Sequence, residues 1–273
     1  MIDLENAKTE FKKYLLDFNI EDSKIEEKII HTYNVVKVSK YLSEKMRLNR
    51  EDTELAEIIA LLHDIGRFEQ LKEFNSFEDY STIDHATAGV KILFKEKMIR
   101  KFIKEETYDE VIFQAIQNHN RIKIDTMEIS SRALFHSKLI RDSDKIDNFR
   151  LQAQVSPEKL LDTTMQEIEQ EDITESTFTD LINKRLVDFS KRKTNLDKWI
   201  SLVGFIYDLN FKESMEYIIE NNYLKNAIHK IDYKNNDTIR KVNNIELVAN
   251  EFMLEKVQNK NLNKLTDNRI LWY

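Results

Sequence analysis

The sequence predicts an all-α protein, and three observations carry that expectation. Among 273 residues there are only three glycines and one proline, so the residues that interrupt helices are scarce. Apolar side chains recur at three- and four-residue intervals through most of the chain, the period of an amphipathic helix. With no cysteine, disulfides and thiolate metal sites are excluded and the fold must be held by packing. A chain of this length has ample material for a core.

Formal charge adds to the exclusions. The 42 basic and 49 acidic side chains leave a net charge of −7, which disfavours bulk binding to nucleic acid or to an anionic membrane. The opening run Met1-Ile2-Asp3-Leu4-Glu5-Asn6 is acidic and polar, unlike a secretion signal. No apolar run approaches the roughly 18 residues of a membrane span. The expected location is the cytoplasm.

Residues 3–18 form the first expected helix, with Leu4, Phe11, Tyr14, Leu15 and Phe18 on one side. Residues 22–46 form the second; Val35, Val38, Leu42 and Met46 mark its apolar stripe, and His31 lies on the same stripe. Taken singly, such a histidine reads as a satisfied core residue. Residues 51–65 form the third, preceded by a turn and cap at Asn49-Arg50-Glu51-Asp52 and burying Leu55, Ile59 and Leu62. It closes on His63-Asp64, with Gly66 expected as the left-handed residue that ends it. An unpaired carboxylate on so apolar a helix would cost several kcal/mol, of order ~5, and a bound cation is the simplest compensation.

Residues 67–83 mix Phe68, Phe74, Phe77 and Tyr80 with charges and are expected to be a loop holding at most one short helix. Ser81 or Asp84 then caps a helix running through Val90, Leu93 and Phe94, with His85 in its first turn and Gly89 allowing close approach of a neighbour. Residues 107–119 follow, with Thr107 and Glu110 at capping-box spacing. Tyr108, Val111, Ile112, Ala115 and Ile116 form the buried face, which His119 continues. In the helix at 129–150, Ala133, Ser137, Ile140 and Asp144 share an inward stripe. A lone inward acid beside Lys145 reads as a structural ion pair.

Beyond residue 150 the expected helices are 156–170, started by Pro157, then 174–187, 194–208, 210–220, 222–230 and 236–257. No repeat or Gly-, Ser- or Pro-rich linker marks a boundary. Residues 1–150 are therefore expected to form the core, and 151–273 a helical extension packed on it through Trp199, Phe205, Tyr207 and Phe211. His229 is expected at the surface or in the core. The terminal Ile270-Leu271-Trp272-Tyr273 is expected to pack back or touch a partner.

Six groups stand out together: His31, His63, Asp64, His85, His119 and Asp144. Each sits on an inward stripe or at a helix end, and only His63 and Asp64 share a helix. Core histidines are satisfied one at a time; four of them with two inward acids invite one common explanation, a shared cation.

At this point the chain resembles the HD superfamily of metal-dependent hydrolases. His31, His63-Asp64 and Asp144 meet its His…His-Asp…Asp pattern. The strings Leu62-His63-Asp64-Ile65-Gly66 and Asp142-Ser143-Asp144-Lys145-Ile146-Asp147 are similar to those of bacterial members. The resemblance covers about residues 25–150. It implies an HD-type helical bundle in which His31, His63, Asp64 and Asp144 hold one divalent metal. His85 and His119 hold a second, as in two-metal members, with Asp64 bridging. Mn, Mg, Fe, Ni and Zn all suit such a site. Two cations activating one water would make the protein a hydrolase of a phosphate ester, with a small phosphorylated substrate such as a nucleotide. Asp64, Arg67 and Lys145 are its catalytic candidates; Arg67, Arg121 and Lys145 are its candidate phosphate clamps. Many relatives carry lysine where Arg67 stands, which keeps the charge and changes its geometry. Asp84, Asp142 and Asp147 are expected to support ligands or to form salt bridges. No Gly-Tyr-Pro signature of the cyclic-di-GMP-cleaving branch follows His119, where Asn120-Arg121-Ile122 stands, and no synthetase partner domain of the alarmone-handling type is recognisable. The same ligand order also resembles HD-fold di-iron oxygenases. A third reading is a non-catalytic metal- or nucleotide-binding module, and a homo-oligomer is compatible with all three.

Overall fold

A computed structural model describes residues 2–124, 126–161 and 163–263. Among these residues all regular structure is helical. The chain divides into two compact units, Met1–Asp147 and Asn148–Tyr273.

The first unit runs α1 (Leu4–Leu15), α2 (Ser23–Lys45), α3 (Arg50–Leu62), α4 (Ile65–Phe74), α5 (His85–Val90), α6 (Ile99–Phe102) and α7 (Asp109–Asn118). It ends in the first part of α8 (Ser131–Gln154). Helices α2 and α3 form its most extensive pairing, and α4 packs on α5. The core is an aromatic group, with Phe11, Tyr14 and Phe18 of the N-terminal segment around Phe68 of α4, whose ring centroids lie 5.9, 6.1 and 5.6 Å away. It continues into the aliphatic faces of α3 and α7 through Leu55, Ile59, Leu62, Ile112 and Ile116. Local caps start several helices as the sequence suggests. The Asn49 side chain accepts from Asp52 N at 2.8 Å and that of Asp84 from Thr87 N at 2.8 Å. The Thr107–Glu110 capping box does not form; residues 106–108 make a 3₁₀ turn, and α7 starts behind Tyr108 without a side-chain cap.

The 67–83 stretch holds the one short helix expected there, which resumes at Ile65 and runs to Phe74, burying Ile65, Phe68 and Leu71 at helical spacing. One expectation is corrected: Gly66 does not end a helix. Among the described residues no glycine has positive φ, and the left-handed residue that stops α4 is Asn75, at φ 49°. Gly66 is needed for proximity instead. A Cβ there would lie 2.2 Å from His85 O and 2.6 Å from Gly89 N, while one on Gly89 would lie 3.3 Å from Ile65 Cγ2. The two glycines let α4 and α5 cross backbone to backbone, which brings the start of α5 to the end of α3. The helix after Asp84 continues through a π-helical turn at Lys91–Lys95.

The second unit holds the remainder of α8 with α9 (Pro157–Leu160), α10 (Met165–Ile168), α11 (Glu175–Ile182), α12 (Asn195–Ile200), α13 (Lys212–Glu220), α14 (Tyr223–Ile228) and α15 (Asn236–Asn263). The helix expected over 156–170 is broken in two. Leu161 is extended, and a capping box between Thr164 and Glu167 starts α10 afresh. The helix expected over 174–187 stops at Ile182, where Lys184 takes φ 58°. The one expected over 194–208 turns 3₁₀ from Ser201 to Asp208. Trp199 is buried and donates from Nε1 to Ala227 O at 3.1 Å. His229 lies at the surface, 3.0 Å from the Glu246 carboxylate. The expectation for Ile270-Leu271-Trp272-Tyr273 lies outside the described residues. No described helix is long and apolar enough to cross a membrane.

Candidate metal centre

The centre forms where helices of the first unit end. Helix α3 stops at His63, whose backbone is still helical, and Asp64 then leaves the helical region at φ −103°, ψ 17° before α4 begins. This break turns Asp64 away from the axis of α3 while keeping both residues buried. His31 comes from the middle of α2, His85 from the first position of α5, His119 from the end of α7 and Asp144 from α8.

The Asp64 carboxylate lies among the four imidazoles. Its Oδ2 is 3.7 Å from Nε2 of His31 and 3.7 Å from Nε2 of His63. Its Oδ1 is 3.3 Å from Nε2 of His85 and 3.6 Å from Nε2 of His119. Asp144 joins the first pair, its Oδ1 lying 3.2 Å from His31 Nε2. Two buried groups thus have donor atoms close enough to share an ion, His31/His63/Asp64 and Asp64/His85/His119.

The other ring nitrogen of each of these four histidines is engaged. His63 Nδ1 is 2.7 Å from Ala60 O, and His119 Nδ1 is 2.6 Å from Ile116 O. His31 Nδ1 is 2.7 Å from Asp147 Oδ2. His85 Nδ1 lies 2.8 and 2.7 Å from the two oxygens of Asp79. Carbonyls and ionised carboxylates only accept, so each Nδ1 carries the proton and donates it. Each Nε2 is left to face the centre, the tautomer of a histidine poised for a metal.

Physical chemistry tests whether a cation fits. The Nε2 atom of His63 is buried without a hydrogen-bond partner, a costly state unless something binds there. The Nε2 atoms of His85 and His119 stand 2.9 Å apart. Ligand atoms about 2.1 Å from one ion are about 3.0 Å apart at right angles and about 3.4 Å apart at the tetrahedral angle, so the spacings suit common coordination. Neutral imidazole nitrogen and carboxylate oxygen form a borderline donor set for first-row divalent metals.

Electrostatics point the same way. Burial would raise the Asp64 carboxyl, but Lys28 and the surrounding imidazoles hold it well below its ordinary range. Burial pushes His63 down to about 4, and burial also lowers His85, so both are neutral at pH 7. Burial and the Lys28 charge push His31 down, yet its contacts with the Asp144 and Asp147 carboxylates prevail and lift it to about 9. A metal entering there must displace a proton.

The expected clamps are placed differently. Arg67 reaches the centre, with Nε 3.7 Å from Asp64 Oδ1. Its Nη1 is committed to Gln70 Oε1 at 2.7 Å, Phe77 O at 2.7 Å and Asp79 Oδ1 at 2.8 Å. Arg121 is half exposed and lies 3.7 Å from Asp84 Oδ1. Lys145 is buried. Of the supporting acids, Asp147 holds His31, whereas Asp84 caps α5 and accepts from Asn120 Nδ2 at 2.8 Å. Asp142 is buried.

Sequence reasoning missed two residues here. Lys28 places Nζ 3.3 Å from Asp64 Oδ2 and 5.0 Å from the Phe77 ring centroid. Its signal was its position one helical turn before His31. Asp79 holds His85 from within an irregular loop and had no periodic signal. His136 is a third omission, outside the centre; it is buried and lies 3.1 Å from Asp52 Oδ1.

No curated protein and no solved structure matches the chain. The HD domain family model matches residues 29–149, the segment that supplies His31, His63, Asp64, His85, His119 and Asp144. Family match and buried ligand geometry coincide there, and residues 29–149 are those of an HD domain.

Proposed function

We propose that the protein is a metal-dependent hydrolase of a phosphate ester. The observation that supports this most is the division of Asp64, with one carboxylate oxygen facing each histidine pair. His31, His63, Asp64 and Asp144 would hold one divalent ion; His85 and His119, with the other oxygen of Asp64, would hold a second. Two such ions supply a water acidified toward neutral pH and charge compensation for phosphoryl oxygens. The side chains do the rest. Each Nδ1 anchor keeps its imidazole oriented. Asp64 ties both halves to the end of α3. Lys28 and Arg67 bring positive charge to the rim of the same carboxylate, where an anionic ester must approach. Arg121 and Lys145 are retained as further phosphate-binding candidates, with a small phosphorylated molecule such as a nucleotide as the substrate class.

The test is turnover of p-nitrophenyl phosphate, its bis-ester and a nucleotide panel by metal-depleted protein resupplied with Mn²⁺ or Mg²⁺ under anaerobic conditions. Hydrolysis that falls at least about 100-fold in Asp64→Ala, the scale of losing a transition-state electrostatic group, supports the reading. Metal-loaded protein that turns over none of these esters overturns it, and O₂ consumption by an iron-loaded form would assign the oxygenase instead.

A further inference from the structure

The two ligand groups are not supported alike. His31 is anchored by Asp147 of α8. His63 and His119 are anchored by carbonyls of their own helices, Ala60 and Ile116. Only His85 depends on a side chain from a loop. Asp79 lies in the irregular segment 75–84, between α4 and α5. That loop packs Phe77 against the core and is tethered to α4 through polar side chains. Arg67 Nη1 donates to Phe77 O and Asp79 Oδ1 at 2.7 and 2.8 Å. Gln70, buried in α4, donates from Nε2 to Asp79 Oδ1 at 3.0 Å, Thr82 Oγ1 at 2.8 Å and Ile83 O at 2.9 Å. Asp79 is where these tethers and the ligand meet.

We propose that Asp79 is a positioning residue that sets the occupancy of the Asp64/His85/His119 group, so that the second metal is bound only when loop 75–84 is docked on Arg67 and Gln70. The inference rests on the dinuclear reading above. Its physical basis is reciprocal coupling. If the docked loop orients His85 for the metal, then the metal must favour the docked loop by the same factor. Neither histidine of the His31/His63/Asp64 group is anchored by the loop, so that group is expected to fill before the loop docks. The centre is therefore two unequal halves, one built on helices and one completed by a loop.

The experiment is a calorimetric titration of metal-free full-length protein with Mn²⁺, paired with electron paramagnetic resonance and with hydrogen exchange of the 75–84 amides. The wild type is expected to bind two ions, with the 75–84 amides protected only when the second enters. Asp79→Asn should keep the first site and weaken the second about 10- to 100-fold, the usual effect of altering the carboxylate behind a metal-bound histidine. Its spectrum at two equivalents should be that of isolated rather than coupled ions. Asp147→Asn should do the converse and weaken the first site, while Asp79→Glu recovers part of the second. Two wild-type affinities in Asp79→Asn, or an equal weakening of both sites, overturn the proposal. Should that variant fail to fold, Arg67→Gln decides. Loss of a positive charge alone strengthens cation binding, so a weakened second site there reports the loop, and two undiminished sites overturn the proposal. Wild-type protein that binds one ion or none overturns the dinuclear reading itself. Two ions bound with an indifferent Asp79 overturn this inference alone.

Discussion

At the residue scale, the centre is a set of imidazoles each tied at Nδ1 and open at Nε2 around one carboxylate. Lys28 stands 3.3 Å from that carboxylate and offsets its charge in the metal-free protein. Another ion pair, partly exposed, lies away from the centre. Asp52 receives His136 Nε2 at 3.1 Å, Arg132 Nε at 2.8 Å and Asn49 Nδ2 at 2.8 Å. The hydrogen bond from His136 first, then that from Arg132, holds its carboxyl below the usual carboxylate range. A carboxyl whose pKa is lower in the folded state contributes stability above its unfolded pKa of about 4 and loses it as pH falls further. Asp52→Asn should therefore destabilise metal-free protein by about 1 kcal/mol at pH 6, allowing for solvent screening of this partly exposed group. The difference should narrow at pH 3 and vanish only at still lower pH, where the carboxyl also protonates in the folded protein. Urea unfolding of both proteins at the two pH values checks this, and a difference that grows in acid would refute it.

At the scale of elements, the centre depends on how α4 crosses α5. Gly66 sits where any side chain would collide with backbone, 2.2 Å from His85 O and 2.6 Å from Gly89 N. Backbone cannot rotate aside as a side chain can, so Gly66→Ala must push α5 away. Its gain in helix propensity, about 1 kcal/mol, is outweighed by overpacking of about 1–3 kcal/mol or more, and His85 moves with α5. The expected outcome is a lower thermal midpoint together with weakened second-site metal binding. A variant of wild-type stability that binds metal normally would show that the crossing can relax. Tyr14 supports the same corner, its hydroxyl donating to Ile65 O at 3.1 Å. Burial pushes its phenol well above the ordinary tyrosine range, so it stays a donor at any working pH.

At the scale of the whole molecule, candidate ligands from α2, the α3–α4 break, α5, α7 and α8 converge, so the centre exists only in folded protein. An ion that binds the folded and not the unfolded chain adds about 2.7 kcal/mol at 100 times its dissociation constant. In a unit of this size that corresponds to roughly 5–10 °C in midpoint. Mn²⁺ should raise the thermal midpoint of the wild type by that order and leave Asp64→Ala unmoved; an equal rise in both would mean that the ion binds elsewhere.

What the sequence by itself determined was whatever is written in local period and local chemistry. The helical class, the caps at Asn49 and Asp84, and the inward placement of His31, His63 and His119 were legible because a residue's face follows from its register with apolar neighbours. The pattern of HD-family ligands could be read for the same reason, since the chemistry fixes residue type and order. Tertiary structure alone decided the rest. Gly66 reads locally as a helix stop, and only the crossing of α4 and α5 shows that it clears a backbone. Asp79 lies in a loop without period, and its pairing with Arg67, Gln70 and His85 arises from chain return. Lys28 reads as a solvated charge until α2 and the α3–α4 break meet. The breaks at Leu161 and Lys184 interrupt stretches that look continuously amphipathic. Period reports which side of an element is buried, but what it is buried against is set by three-dimensional packing, and the chemistry of this centre is made from those contacts.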